Sequence, residues 1–178
     1  MVDKDKIVKA CVDHFHFTRD YEIDDEGCVS TNGTVKLITV RSKIAVQFKY
    51  VGGHFECANK KLISLEGSPR EVGKTFDCRR NRLTTLVGAP EHVGDFVCIE
   101  NPLVDLVGLS SQIDGAVSFN YTPQLPLLRT LVADKIWPYP DQVELEVILN
   151  KYKGQGKAAI LKCAAELIKA GFKDNARW

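Results

Sequence analysis

The chain has 178 residues, with 24 basic and 23 acidic side chains and a formal charge of +1 at pH 7. This length fits one domain with a sizeable core, and the balanced charge provides no global field that would draw the protein onto nucleic acid or an anionic membrane. The sequence contains no apolar run of about 18 residues, and its charged start lacks the apolar region of a signal peptide. We therefore expect a soluble, cytoplasmic protein.

The first 33 residues predict a helix and a hairpin. In residues 3–14 apolar side chains recur at helical spacing, and Asp3 stands where an N-cap is needed. Two strand-like segments, YEI and CVS, then flank a DDEG turn whose glycine can adopt a positive φ. Because the end of a repeat array exposes its core unless another element covers it, we interpret residues 1–33 as an N-terminal cap.

The central part of the sequence, residues 51–113, repeats one pattern three times. In each copy a Phe precedes a Cys by two residues, leucines follow the Cys at five and eight residues, and a Gly follows at ten. The cysteines are Cys57, Cys78 and Cys98, separated by 21 and 20 residues. A fixed period near twenty residues is typical of a solenoid, whose coils bury their apolar sides by stacking.

Weaker copies of the pattern precede and follow the three clear ones. Val35 and Leu37 take the Phe and Cys places in an earlier coil. Val117 and Phe119 take these places in a later coil. We therefore expect a solenoid of four or five coils over residues 34–122, with a few strand residues in each coil and irregular connections between them.

Residues 123–178 predict a helical C-terminal cap. The segment LPLLRTLVADKI favours a short helix, and Asp141 has the spacing of a capping box for a second helix over residues 142–152. A third helix is predicted over residues 157–170 and ends at Gly171. Its apolar stripe is formed by five residues: Ile160, Leu161, Ala164, Leu167 and Ile168.

The repeat pattern FxCxxNxLxxL resembles the leucine-rich repeat, in which a short strand is followed by a ladder of asparagines. Asparagines at this place usually bond backbone groups of the bend, so we expect Asn81 and Asn101 to do so. The longer form, FxCxxNxLxxLxGxP, resembles the small leucine-rich-repeat-like proteins of tailed bacteriophages over most of the chain. This resemblance implies a non-enzymatic accessory protein that binds a host protein in the host cytoplasm and inhibits or redirects it. The expected fold is an α/β repeat, a short leucine-rich-repeat-like solenoid with a small parallel sheet and helical caps at both ends.

No arrangement of catalytic or metal-binding residues emerges from the sequence. The segment GQGK before Ala158 resembles a phosphate loop only superficially, because a helix precedes it, and a turn between helices is the better interpretation. The repeat cysteines face the core and lack the exposure that a reactive thiolate needs, so we expect reduced, buried thiols. We expect a protein that is not an enzyme and has no cofactor and no metal site.

The outward side chains of the strands are the best candidates for a binding surface, because side chains alternate between the two faces of a strand. Val97 and Ile99 are apolar where exposed sheet residues are usually polar, and arginine and aromatic residues are enriched in interface hot spots. We predict that a partner protein contacts six residues: Glu56, Asp77, Arg79, Val97, Ile99 and Tyr121. Two alternatives stay open, namely ordinary solvated aliphatic side chains and the pairing of two copies of the chain.

A second hypothesis is nucleic-acid binding through an arginine cluster. Arg79, Arg80 and Arg82 occupy three of four consecutive positions and have the chemistry to hold phosphate groups. The near-neutral composition and the acidic residues expected nearby argue against this hypothesis, since they favour a solvated, ion-paired edge.

Overall fold

The repeats of the sequence form a stack of parallel strands. The computed structural model describes residues 2–178 and has a parallel-dominated β-solenoid of about six turns, with helices near both ends. Equivalent repeat residues lie side by side: Phe55 pairs with Phe76, Phe76 with Phe96, and Phe96 with Val117. The period near twenty residues is therefore the length of one coil.

The helices and strands are numbered along the chain. They are α1 (Lys4–His14), β1 (Phe15–Phe17), β2 (Tyr21–Ile23), β3 (Val29–Thr31), β4 (Val35–Leu37), β5 (Phe48–Val51), β6 (Phe55–Glu56), β7 (Glu71–Asp77), β8 (His92–Val97), β9 (Gln112–Asn120), β10 (Ala133–Tyr139), α2 (Val143–Tyr152) and α3 (Lys157–Lys169). A 3₁₀ helix, Leu128–Val132, precedes β10.

The later strands are longer than predicted because each continues around a corner of the coil. The first part of β7 pairs with β5 through Glu71, and its second part pairs with β6 through Phe76. Gly73 lies between these parts, and a Cβ atom on it would meet the carbonyl oxygen of Gly52 at 2.5 Å. The expectation of only a few strand residues in each coil is thus wrong here, and β9 has nine.

The core of the solenoid is a column of aromatic rings beside a row of thiols. The ring centroids of Phe55 and Phe76 lie 5.7 Å apart, and those of Phe76 and Phe96 lie 5.3 Å apart. The thiols of this row belong to the repeat cysteines, and all three are fully buried: Cys57, Cys78 and Cys98. All six cysteines are free, and those of the repeats are buried, as predicted. Burial raises the pKa of Cys98 to about 12. The thiols therefore act as apolar filling.

Asn81 and Asn101 join successive coils at the bend after each strand. The amide of Asn81 donates to the carbonyls of Cys78 and Cys57 at 2.9 and 3.0 Å, one in its own coil and one in the preceding coil. Its side-chain carbonyl accepts two backbone N–H groups of the preceding coil, at 2.9 and 3.0 Å. One coil later, Asn101 donates to the carbonyls of Cys98 and Cys78 and accepts the backbone N–H of Leu83. The prediction that asparagines here bond the backbone of the bend is confirmed.

The predicted N-terminal helix and hairpin are confirmed. The Asp3 carboxylate caps α1 by accepting the backbone N–H of Lys6 at 3.0 Å. Strands β2 and β3 form the hairpin around Gly27, which has φ +83°. Strand β1 pairs with β4 and β2 pairs with β3, both antiparallel, so these two strands close the first edge of the stack.

One element of the C-terminal region was predicted incorrectly. The segment LPLLRTLVADKI does not form one helix; it contains the 3₁₀ helix and the start of β10. Strand β10 pairs in parallel with β9, with Ile136 beside Val117 and Pro138 beside Phe119. These two residues continue the inward rows beyond residue 122, and this pairing outweighs the local helical preference.

The two C-terminal helices are present but differ in detail from the prediction. The predicted capping box is absent, because α2 has Gln142 as its N-cap and no side chain bonds there. In α3 the residues that pack inward are Ala159, Cys163 and Leu167, whereas Leu161 and Ile168 of the predicted stripe are exposed. The predicted helix–helix turn and the stop before Gly171 are confirmed.

Within residues 2–178, none of the helices has the length and apolar composition needed to cross a membrane.

Helix α2 closes the last edge of the sheet. The Asn150 side chain accepts the backbone N–H of Ile136 at 3.1 Å and donates to the carbonyl of the same residue at 3.0 Å. Pro138 lies two residues after Ile136 on the same edge. Because proline has no backbone N–H group, no donor is left unpaired there. Asn150 therefore replaces a further strand at the middle of β10.

The C-terminal segment is docked against the end of the solenoid. Asn175 is buried and donates to the carbonyls of Thr122 and Leu125 at 3.0 and 2.8 Å. The guanidinium carbon of Arg129 lies 5.2 Å from the ring centroid of Trp178, which itself remains exposed. The buried asparagine, more than the tryptophan, fixes the segment in place.

We predict that Asn81→Leu lowers the free energy of unfolding by about 3 kcal/mol, because buried backbone groups in two coils lose their partners. Urea unfolding followed by circular dichroism measures this change. The control is Thr84→Leu, an exposed substitution in the same coil, which should change stability by less than about 0.5 kcal/mol. A loss for Asn81→Leu no larger than that of the control would contradict the joining role of the asparagine.

Candidate binding face

The outward side chains of the stack form two rows that we call the strand face. Strand register places six residues in the first row: Lys36, Glu56, Asp77, Val97, Ser118 and Trp137. The second row lies beside it and includes five residues: Ala58, Arg79, Ile99, Asn120 and Tyr139. Pairing of the backbone between coils therefore determines which side chains meet on this face.

The N-terminal half of the strand face is polar and ion-paired. Arg79 Nε lies 3.2 Å from the Asp77 carboxylate, and Lys36 Nζ lies 3.8 Å from the Glu56 carboxylate. A cavity of about 360 Å³ opens between these residues, and His54 and Thr75 also line it. Because charges of both signs are paired here, this half carries little net field.

Asp77 is the most buried carboxylate of this half, with a side chain only 15% exposed. Burial raises the pKa of Asp77, and the backbone N–H and guanidinium of Arg79 oppose that rise without cancelling it. The folded protein therefore binds a proton at Asp77 more readily than the unfolded chain does.

The C-terminal half of the strand face is apolar and aromatic. Trp137 and Tyr139 are 51% and 54% exposed, although large aromatic side chains are usually covered. Together with Ile99 they line a cavity of about 410 Å³, which we call the aromatic cavity. Its remaining lining residues are Ser118, Pro138, Asp141 and Glu146. Val97 lies beside Ser118 in the first row, so the apolar surface continues towards the polar half.

The structure places five of the six predicted contact residues on the strand face: Glu56, Asp77, Arg79, Val97 and Ile99. Tyr121 lies beyond the end of β9, where it is half-buried and packs against the core. Its backbone N–H donates to the carbonyl of Tyr139 at 2.8 Å, so it borders the aromatic half from the bend. Contact of these residues with a partner stays a prediction.

The prediction from sequence missed Trp137 and Tyr139. The sequence predicts their segment as part of a helical cap, because it contains none of the Phe, Cys or Asn residues of the repeat. Two signals were nevertheless present. Ile136 and Pro138 alternate with the two aromatic residues, and Trp137 follows Ser118 at a spacing close to the repeat period.

The arginine cluster is largely neutralised. Arg79 pairs with Asp77, and Arg80 Nε lies 2.9 Å from the Glu100 carboxylate. The ion pair with Glu100 raises the pKa of Arg80 and lowers the pKa of Glu100. This arrangement leaves less positive charge for phosphate groups than the three arginines suggest in sequence.

One other group has the residue types of a metal site. The ligand atoms of Asp24, Glu26 and Cys28 lie within 4.8 Å of one another. However, the Asp24 carboxylate already accepts the backbone N–H groups of Glu26 and Cys28 and pairs with Lys49 Nζ at 3.2 Å. This carboxylate therefore stabilises the hairpin turn.

Comparisons with known proteins found no match to this chain among family models, curated proteins or solved structures.

We predict that Asp77→Asn is more stable relative to wild type at about pH 7 than at about pH 3. The folded-state pKa of Asp77 lies above its unfolded value near 3.8, so its contribution is fully present below that value and is lost as pH rises through the folded pKa. Asparagine keeps the side-chain acceptor but has no charge to bury. Urea unfolding at both pH values provides the comparison.

A substitution without a titrating group in the same row, Ser118→Ala, should differ from wild type by the same amount at both pH values. If Asp77→Asn instead becomes less stable relative to wild type as the pH rises, the ion pair with Arg79 outweighs the burial of Asp77.

Proposed function

We propose that this protein is a non-enzymatic protein-binding module that contacts its partner through the strand face. The observation that carries the proposal is the exposed apolar surface of the C-terminal half, where Trp137, Tyr139 and Ile99 line one cavity. Aromatic residues are enriched at protein interfaces, and a concave aromatic surface next to charged residues is typical of an interface centre with a polar rim.

The rigidity of the strand face supports the same function. Trp137 and Tyr139 lie on β10, which pairs with β9 along most of its length and is held on its other side by Asn150. Side chains on a strand fixed on both sides lose little further backbone entropy on binding. The aromatic residues are thus presented in a fixed arrangement.

We also propose that the protein is a leucine-rich-repeat protein and that it is a phage accessory protein. Both proposals are supported by the repeat pattern FxCxxNxLxxLxGxP and by the asparagine bonds of Asn81 and Asn101, the type of ladder that the resemblance implies. The proposed partner is a host protein in the host cytoplasm, whose surface the strand face masks. Fold alone does not assign function, so binding must be measured.

The test is affinity capture from host lysate with three purified forms of the protein. These are wild type, the face variant Val97→Asp with Ile99→Asp, and a control variant, Ile63→Asp with Val104→Asp. Ile63 and Val104 are exposed apolar residues in the connections between strands. All three forms must have the same circular dichroism spectrum. We expect one protein, captured in stoichiometric amount by wild type and control, to be lost from the face variant.

Three outcomes would contradict the proposal. A partner retained by the face variant but lost from the control would assign binding to the connecting loops. Enrichment of nuclease-sensitive material that requires Arg79, Arg80 and Arg82 would favour nucleic-acid binding. Self-association of the purified protein that the face variant abolishes would show that the strand face pairs two copies.

A further inference from the structure

The aromatic cavity differs from the rest of the strand face in its charge. Its lining includes two carboxylates, Asp141 and Glu146, and no lysine, arginine or histidine. Among residues 2–178, neither carboxylate has a basic group within the 4.0 Å of an ion pair. Three carboxylates nearer the N-terminal half each have a basic partner: Glu56, Asp77 and Glu100. The two carboxylates of the aromatic cavity therefore carry negative charge that no ion pair among the described residues neutralises.

Aromatic rings and unpaired carboxylates attract the same kind of group. The faces of tryptophan and tyrosine rings carry negative potential and attract cations, and a nearby carboxylate adds direct Coulomb attraction. A guanidinium group satisfies both partners best, because its plane stacks on an aromatic ring while its N–H groups point towards carboxylate oxygens. We propose that the aromatic cavity binds an arginine side chain of the partner protein. That the arginine belongs to a partner protein rests on the proposed function, whereas the preference for a cation rests on the cavity alone.

The elements that carry these residues are fixed to one another. Trp137 and Tyr139 belong to β10, and Glu146 belongs to α2. Asn150, one turn after Glu146, bonds both backbone groups of Ile136 and donates to the backbone carbonyl of Glu146 at 3.0 Å. Asn150 therefore joins α2 to the residue that directly precedes Trp137. This contact holds the Glu146 carboxylate near the Trp137 ring. A site of this kind needs little rearrangement to bind its ligand.

The charge of the cavity distinguishes an arginine from other occupants. A neutral sugar would stack on the aromatic rings but would not need two unpaired carboxylates. A second copy of the chain would have to place one of its own basic side chains in the cavity, and this would appear as self-association. Binding of a sugar or of a second copy would therefore give experimental results that differ from those of an arginine-bearing partner.

The experiment is a nuclear magnetic resonance titration that follows the indole N–H signal of Trp137. The chain has two tryptophans, and Trp178→Phe assigns the signals. The probes are acetyl-Gly-Arg-Gly-amide and the matched peptide in which citrulline, a neutral isostere, replaces arginine. At constant ionic strength, we expect the arginine peptide to shift the Trp137 signal saturably and to bind at least about fivefold more tightly than the citrulline peptide.

Removing the carboxylate charges should remove this preference. In the variant Asp141→Asn with Glu146→Gln, we expect the arginine peptide to bind less than about twofold more tightly than the citrulline peptide. The control is Glu22→Gln with Glu66→Gln, which changes the net charge equally at two exposed positions outside the cavity and should keep the fivefold preference.

Equal binding of the two peptides, or no saturable shift of the Trp137 signal, would overturn the inference. So would saturable binding of maltotriose without binding of the arginine peptide, or a dimer that Trp137→Ala dissociates.

The affinity capture separates this inference from the proposed function. If a partner is captured by the variant Asp141→Asn with Glu146→Gln and lost from the face variant Val97→Asp with Ile99→Asp, this result would overturn only the arginine site. Arginine binding without any captured protein would overturn only the proposed function.

Discussion

Every coil of this solenoid depends on its neighbours for backbone hydrogen bonds. The N–H groups of the repeat cysteines donate across to the next coil, each at 2.9 Å: Cys57 to Asp77, Cys78 to Val97, and Cys98 to Ser118. A single coil has too little core to be stable alone, and its unpaired edges would bind other strands. The two ends of the stack must therefore be closed, by antiparallel β1 and β2 at the start and by Asn150 and Pro138 at the end.

The same dependence creates the strand face. Inter-coil pairing directs alternate side chains into the core and places the others in straight rows about 4.8 Å apart. Since the outward side chains do not contribute to the core, they are free to serve binding. Ion pairs such as Arg79–Asp77 cover the first half, and the exposed rings of Trp137 and Tyr139 form the second half. The part of the strand face nearest the last coil is thus the part best suited to a partner.

The clear coils were predictable because the same residue types recur where the core demands them. Phe76 and Phe96 fill equivalent places, and each asparagine bonds its bend as the repeat pattern predicted. Strand β10 was not predictable in the same way, because its inward residues, Ile136 and Pro138, are not the Phe and Cys that mark the strands of the clear repeats. Its pairing with β9 shows that it is a further coil. The aromatic half of the strand face was missed for this reason.

Amide hydrogen exchange followed residue by residue is the measurement that tests this account most directly. If each coil is held by its neighbours, the slowest amides should be those donated between central coils, namely Cys57, Cys78 and Cys98, and they should open only with global unfolding. The amides of α3, which packs only at one end of the stack, should exchange faster. Slow exchange confined to α2 and α3, with rapid exchange of the three cysteine amides, would contradict the account.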